Sequence, residues 1–141
     1  MTAPTASLAD FVAAQAPVWP RVEAELRAGA KTTHWVWFVF PQIAGLGRSE
    51  RARFFGLADT AAARAYLAHP VLGPRLRRAA ELMLAHEGKA AARILGDTDA
   101  MKLRSCLTLF AAAAPGDPLF ARALAAFYDG PDPATLALIA D

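Results

Sequence analysis

Apolar residues recur along the chain in short bursts at helical spacing, and each burst is closed by Pro, Gly or a capping residue. Leu8, Phe11 and Val12 share one face behind Ser7-Leu8-Ala9-Asp10, which has the form of a capping box with Asp in place of Glu. Pro17 ends that helix. Val22 and Leu26 mark a second helix from Pro20 to Ala28, with Gly29 as its stop. Ser49 starts a helix through Leu57, and Asp59 or Thr60 starts the next, which carries Ala65, Tyr66 and Leu67. His69-Pro70 is a break, with His69 read as a cap onto the last carbonyls. Pro74 opens a longer helix to about His86, with Leu76, Leu82 and Met83 inward. Gly88 and Gly96 bracket a helix with Ile94 and Leu95, and Asp97 or Thr98 caps the segment to Ala114. Asp117-Pro118 and Asp132-Pro133 are two more starts of the cap-then-Pro kind.

Thr32 to Phe40 reads two ways. Its run Trp35-Val36-Trp37-Phe38-Val39-Phe40 has strand propensity, yet no second convincing strand is present to pair with it. The segment is therefore expected as a short buried helix or turn, capped by Thr33 and ended before Pro41. The pattern predicts an all-α, compact single domain over residues 1–141, with residues 1–6 as a flexible N-terminus. It has about seven to nine short helices, too short and too many for an ideal four-helix bundle.

Composition sharpens this picture in two ways. Thirty-five of the 141 residues are Ala, a cheap helix former that buries little area, whereas four large aromatics crowd into Trp35 to Phe40. At 55% hydrophobic and a mean hydropathy of +0.26 the chain is not disordered. The net charge is only +2 despite a pI of about 9.0, and the run Arg75, Arg77, Arg78 is followed at once by Glu81, which argues against a nucleic-acid surface. One cysteine, Cys106, excludes an intrachain disulfide. No signal-peptide pattern and no membrane-spanning run is visible, so a cytoplasmic protein with no membrane partner is the expectation.

Chemistry-bearing residues gather in two stretches. In His34 to Gln42, Trp35 and Trp37 are either core anchors or flat surfaces for a ligand ring, and His34 at the polar edge is the candidate catalytic acid or base. In Gln42 to Ser49, Gly45 and Gly47 allow positive φ and close approach of a ligand to backbone N–H groups. Ser49 then opens a helix end that favours an anion, the other reading being a structural turn. Further on, Lys102, Arg104 and Ser105 flank or oppose the apolar face of Leu103, Cys106, Leu107 and Phe110, as solvated surface or as the wall of an anion pocket. Asp97 and Asp99 read as caps, Cys106 as an inert buried thiol and His86 as surface. The three histidines are far apart and no ligand pair has metal spacing, so neither metal nor cofactor is expected.

The block His34-Trp35-Val36-Trp37-Phe38-Val39-Phe40-Pro41-Gln42-Ile43-Ala44-Gly45-Leu46-Gly47-Arg48-Ser49 resembles the hallmark of a bacterial family, the domain of unknown function 1810. The resemblance continues in Ala65 to Leu76, in Asp99 to Ser105 and in Thr108 to Phe110, and covers essentially the whole chain. It implies a compact, mainly helical domain and no established activity. The chain departs from the pattern at Cys106, where a small hydroxyl residue is expected. Some members carry the label calpastatin, but inhibitors of that kind are disordered polar repeats, unlike this apolar and capped chain. His69 to Gly73 and the later spacing of Phe110, Gly130 and Asp132 also resemble helical domains that handle ADP-ribose and related N-glycosides. The functional expectation is an enzyme or binding protein for a small anionic, nucleotide-like molecule, with His34 as acid or base. Trp35, Trp37, Gln42, Gly45, Gly47, Ser49, Lys102, Arg104 and Ser105 are its ligand-binding residues. A non-enzymatic helical interaction module is the alternative, and the oligomeric state is open.

Overall fold

The computed structural model describes residues 4–140. These form ten helices: α1 (Leu8–Gln15), α2 (Trp19–Ala28), α3 (Val36–Val39), α4 (Glu50–Phe54), α5 (Thr60–Ala68), α6 (Leu72–Leu84), α7 (Ala91–Leu95), α8 (Asp97–Ala113), α9 (Pro118–Phe127) and α10 (Pro133–Ala140). The fold is all-α, as the punctuation predicts. The count exceeds nine because α3, α4 and α7 are single turns. Of the expected flexible stretch 1–6, residues 1–3 lie outside the described residues, and Ala6 is held by its N–H to the Phe54 carbonyl at 2.7 Å.

Side-chain caps fix five of the ten helix starts among the described residues. Ser7 and Asp10 complete the capping box on α1. Ser49, Asp59 and Asp117 each accept a backbone N–H at the head of α4, α5 and α9. Three expected caps are used otherwise, one of them Thr33, whose hydroxyl goes to Glu25. The head of α8 has Gly96 at its cap position and no side-chain cap, because Asp99 turns instead to two lysines. His69 caps forward and not back: its Nδ1 accepts the N–H groups of Val71 and Leu72 at 3.1 and 3.3 Å.

α8 is the central helix, packed against α5, α7, α9 and α10, while α6 lies against α2, α5 and α9. From Ser105 to Phe110 every α8 residue is buried, so the helix has no solvated opposite face there. Ser105 and Thr108 are buried with partners within the protein, which makes their burial affordable. Cys106 is fully buried, and burial pushes its thiol up, as an inert core residue should be. His86 is not free surface: its Nε2 lies 2.8 Å from the Leu26 carbonyl, which can only accept, so the ring donates there and closes the end of α2.

The aromatic segment is placed by a single acid. The Glu25 carboxylate on α2 accepts the N–H groups of Thr32 and Thr33, the Thr33 hydroxyl at 2.6 Å and the Trp35 indole N–H at 3.0 Å. Thr33 thus serves Glu25 and does not cap α3, whose cap position is Trp35. Burial alone would raise the Glu25 pKa. The donors from Thr33, Thr32 and Trp35 outweigh burial and hold it down at about 2. Below α3, the buried Gln15 amide donates to the Phe38 carbonyl and the Tyr66 hydroxyl, tying α1, α3 and α5 together.

Candidate functional site

Beyond α3 the chain is pinned before it loops out. The N–H of Leu57 donates to the Gln42 carbonyl and that of Ala44 to the Leu57 carbonyl. Ile43 and Leu57 form an isolated parallel bridge with both side chains in the core. This is the extended pairing present among the described residues, and it closes a loop that contains α4.

The two glycines of the loop do different things. Gly45 has φ 102°, turns the chain and lies against Leu138 of α10. Gly47 has ordinary φ, but a Cβ there would overlap the Ala52 methyl, so its role is close approach of the loop to α4. Ser49 then accepts the Ala52 N–H at 3.1 Å as the α4 cap.

This loop forms one wall of a cleft of about 800 Å³, a size typical of small-molecule sites. Gln42, Leu46, Gly47, Arg48 and Ser49 come from the loop. The first half of α8 supplies Asp97, Met101, Lys102, Arg104 and Ser105, and the link from α9 to α10 supplies Tyr128 and Asp132. Six residues expected at a site from sequence therefore stand on one concavity: Gln42, Gly47, Ser49, Lys102, Arg104 and Ser105.

The others do not line it. His34 is exposed and makes no hydrogen bond or ion pair among the described residues. Trp35 is 1% exposed and committed to Glu25, so its ring belongs to the core. Gly45 faces α10 instead. Trp37 stands behind the wall, half-buried, with the Arg51 guanidinium and the Lys102 ammonium each about 5 Å from its ring, at 5.0 and 5.1 Å. Two cations already occupy that indole, so it positions Lys102 and does not stack freely on a ligand.

Among the wall residues the polar groups divide into spent and free. Arg104 donates through Nε to the Gly130 carbonyl and through its terminal nitrogen to the Pro131 carbonyl, at 2.9 and 3.2 Å. Its task is to clamp the α9–α10 link to α8. Tyr128 donates its hydroxyl to the Ala100 carbonyl, and burial, with Cys106 second, keeps the phenol well above its usual pKa; Arg104 opposes this weakly. It is a neutral donor at neutral pH. The Ser105 hydroxyl shares its proton between the Met101 carbonyl and Asp132.

Free groups remain. Gln42 makes no side-chain hydrogen bond among the described residues, and Arg48 makes no ion pair. Lys102 shares the Asp99 carboxylate at 3.5 Å with Lys31, which is nearer at 2.6 Å. One carboxylate thus answers two ammonium groups, while Asp97 brings a carboxylate of its own to the α8 side of the cleft. No group of three or more His, Cys, Asp or Glu residues that could hold a metal occurs among the described residues.

Arg48, Tyr128 and Asp132 were not among the residues expected from sequence. Asp132 had a legible signal, as the cap before Pro133, but nothing local shows that it meets Ser105 on another helix.

The model of the family described as "Protein of unknown function (DUF1810)" matches residues 5–139. Among solved structures, the crystal structure of the conserved hypothetical protein Rv1873 from Mycobacterium tuberculosis superposes with a TM-score of 0.93. The two sequences are 46% identical over 95% of this chain and 96% of that one. No curated protein is similar in sequence.

Proposed function

The chain belongs to the DUF1810 family, whose function is unknown, so we propose a function from its own cleft: it binds a small anionic, nucleotide-like molecule. The observation that carries this reading is the meeting of loop residues Gln42 and Arg48 with Lys102 of α8 on one cleft of ligand size, where Gln42 makes no side-chain hydrogen bond and Arg48 no ion pair among the described residues, and Lys102 has only a share of Asp99. Lys102 and Arg48 supply positive charge to an anionic group, and the Gln42 amide adds a donor and an acceptor. Leu46 and the 72% exposed Met101 give the rim an apolar surface suited to a flat ring.

The reading is of binding, not of acid–base catalysis through His34, since that side chain is not on the cleft wall. The alternative of a protein-interaction module would call for a contiguous apolar patch. The large exposed hydrophobics among the described residues are Met101 and Leu136, on different helices, and the first belongs to the cleft rim.

A thermal-shift panel of inorganic pyrophosphate, nucleotides and ADP-ribose tests this. At a hundredfold excess over Kd a bound member stabilises by about 2.7 kcal/mol, or roughly 5–10 °C for a chain of this size. A flat response across the panel overturns the reading.

A further inference from the structure

Asp132 is built differently from the other caps. Its Oδ2 accepts the Thr135 N–H at 3.0 Å, the Thr135 hydroxyl at 2.6 Å and the Ser105 hydroxyl at 3.2 Å. Its own N–H donates to the Thr108 hydroxyl at 2.9 Å. Three donors on one oxygen and an anchored backbone hold the carboxylate rigidly. The second oxygen, Oδ1, accepts no hydrogen bond among the described residues and is not fully buried, and the residue lines the cleft.

The carboxylate also has no cation within ion-pair distance among the described residues. Arg104, the adjacent candidate, is spent on the Gly130 and Pro131 carbonyls. Lys102 lies one turn earlier on α8 than Ser105, about 5 Å along the helix axis, and it pairs with Asp99. The cleft therefore carries two kinds of polar group: cations at Arg48 and at Lys102, the latter sharing Asp99 with Lys31, and a fixed acceptor at Asp132.

We infer that the Asp132 end binds a hydroxyl pair of the ligand, so that the cleft selects a phosphorylated sugar or ribonucleotide with a free diol over a simple anion. A carboxylate oxygen is acceptor-only and repels phosphate, whereas a vicinal diol presents the donors it lacks. This rests on the anion-binding reading of the same cleft. The charged ends then fix orientation as well as class: phosphate toward Lys102, sugar toward Asp132.

The test is titration calorimetry of ADP, 2′-deoxy-ADP and inorganic pyrophosphate with the wild-type chain and with Asp132→Asn. Asn caps helices as Asp does and keeps an acceptor for the three donors, but turns an amide N–H₂ toward the cleft. The wild type is expected to bind ADP roughly tenfold more tightly than 2′-deoxy-ADP, the scale of a hydrogen bond to a charged group. Asp132→Asn is expected to erase that difference while keeping pyrophosphate binding. Equal affinity of the wild type for ADP and 2′-deoxy-ADP, with pyrophosphate bound, overturns the diol assignment alone. Absence of binding by all three probes overturns the anion reading and this inference with it. The wild-type comparison needs no variant, so it decides the matter even if the variant fails to fold.

Discussion

Arg104 on α8 donates its Nε proton to the Gly130 carbonyl at 2.9 Å, across 26 residues of chain. With the second bond to Pro131, this side chain ties the wall that carries Tyr128 and Asp132 to the wall that carries Lys102. Arg104→Lys keeps the charge and loses the fork. It is expected to lower stability by about 1–2 kcal/mol, read as a lower urea midpoint, and to weaken pyrophosphate binding through a loosened wall. An unchanged midpoint would show that the clamp contributes nothing.

Glu25 makes stability depend on acid pH. Its folded pKa, about 2, lies below the ordinary 4.5. A depressed carboxylate stabilises the fold above its unfolded pKa, and that contribution is lost as pH falls from about 4.5 toward 2. Thermal melts of the wild type and Glu25→Gln are expected to differ most near neutrality and to converge across this window. Parallel curves from pH 7 to pH 2 would contradict the assignment.

Gly47 is required by a neighbour and not by its own φ. Gly47→Ala is expected to cost about 1–3 kcal/mol by overpacking against Ala52. Adding Ala52→Gly should recover most of what the clash costs, less the helix penalty of about 1 kcal/mol for the new glycine. A single variant as stable as the wild type would place the close approach in doubt.

His34 is exposed and unpartnered among the described residues. His34→Ala is expected to change stability by no more than about 0.5 kcal/mol and to leave pyrophosphate affinity unaltered. A loss of affinity with an intact fold would return His34 to the site.

Helix starts were legible because their chemistry is local: Ser7, Asp59, Asp117 and Asp132 each meet an N–H two or three residues on. The segment from Thr32 to Phe40 was half-legible. Its helical turn followed from the lack of a partner strand, but its anchor is Glu25, a residue of another helix, so the supposed Thr33 cap was an alternative use of the same hydroxyl. Ser105 was half-legible for a related reason. A polar residue beside an apolar helix face reads as solvated surface or pocket wall, and only the tertiary structure brings Asp132 to it from 27 residues away. Trp35 and Trp37 look equivalent in sequence, yet one is core and the other supports Lys102.

Lys102 carries the central claim, because its charge is only half answered by Asp99 and it stands on the cleft wall. Calorimetric titration of inorganic pyrophosphate into the wild type and Lys102→Ala, with the variant's melting temperature measured alongside, tests it most directly. The expected result is binding by the wild type, a melting temperature preserved within a few degrees, and an affinity at least roughly tenfold weaker in Lys102→Ala. Equal affinity in the two proteins, or no binding by either, would contradict an anion site in this cleft.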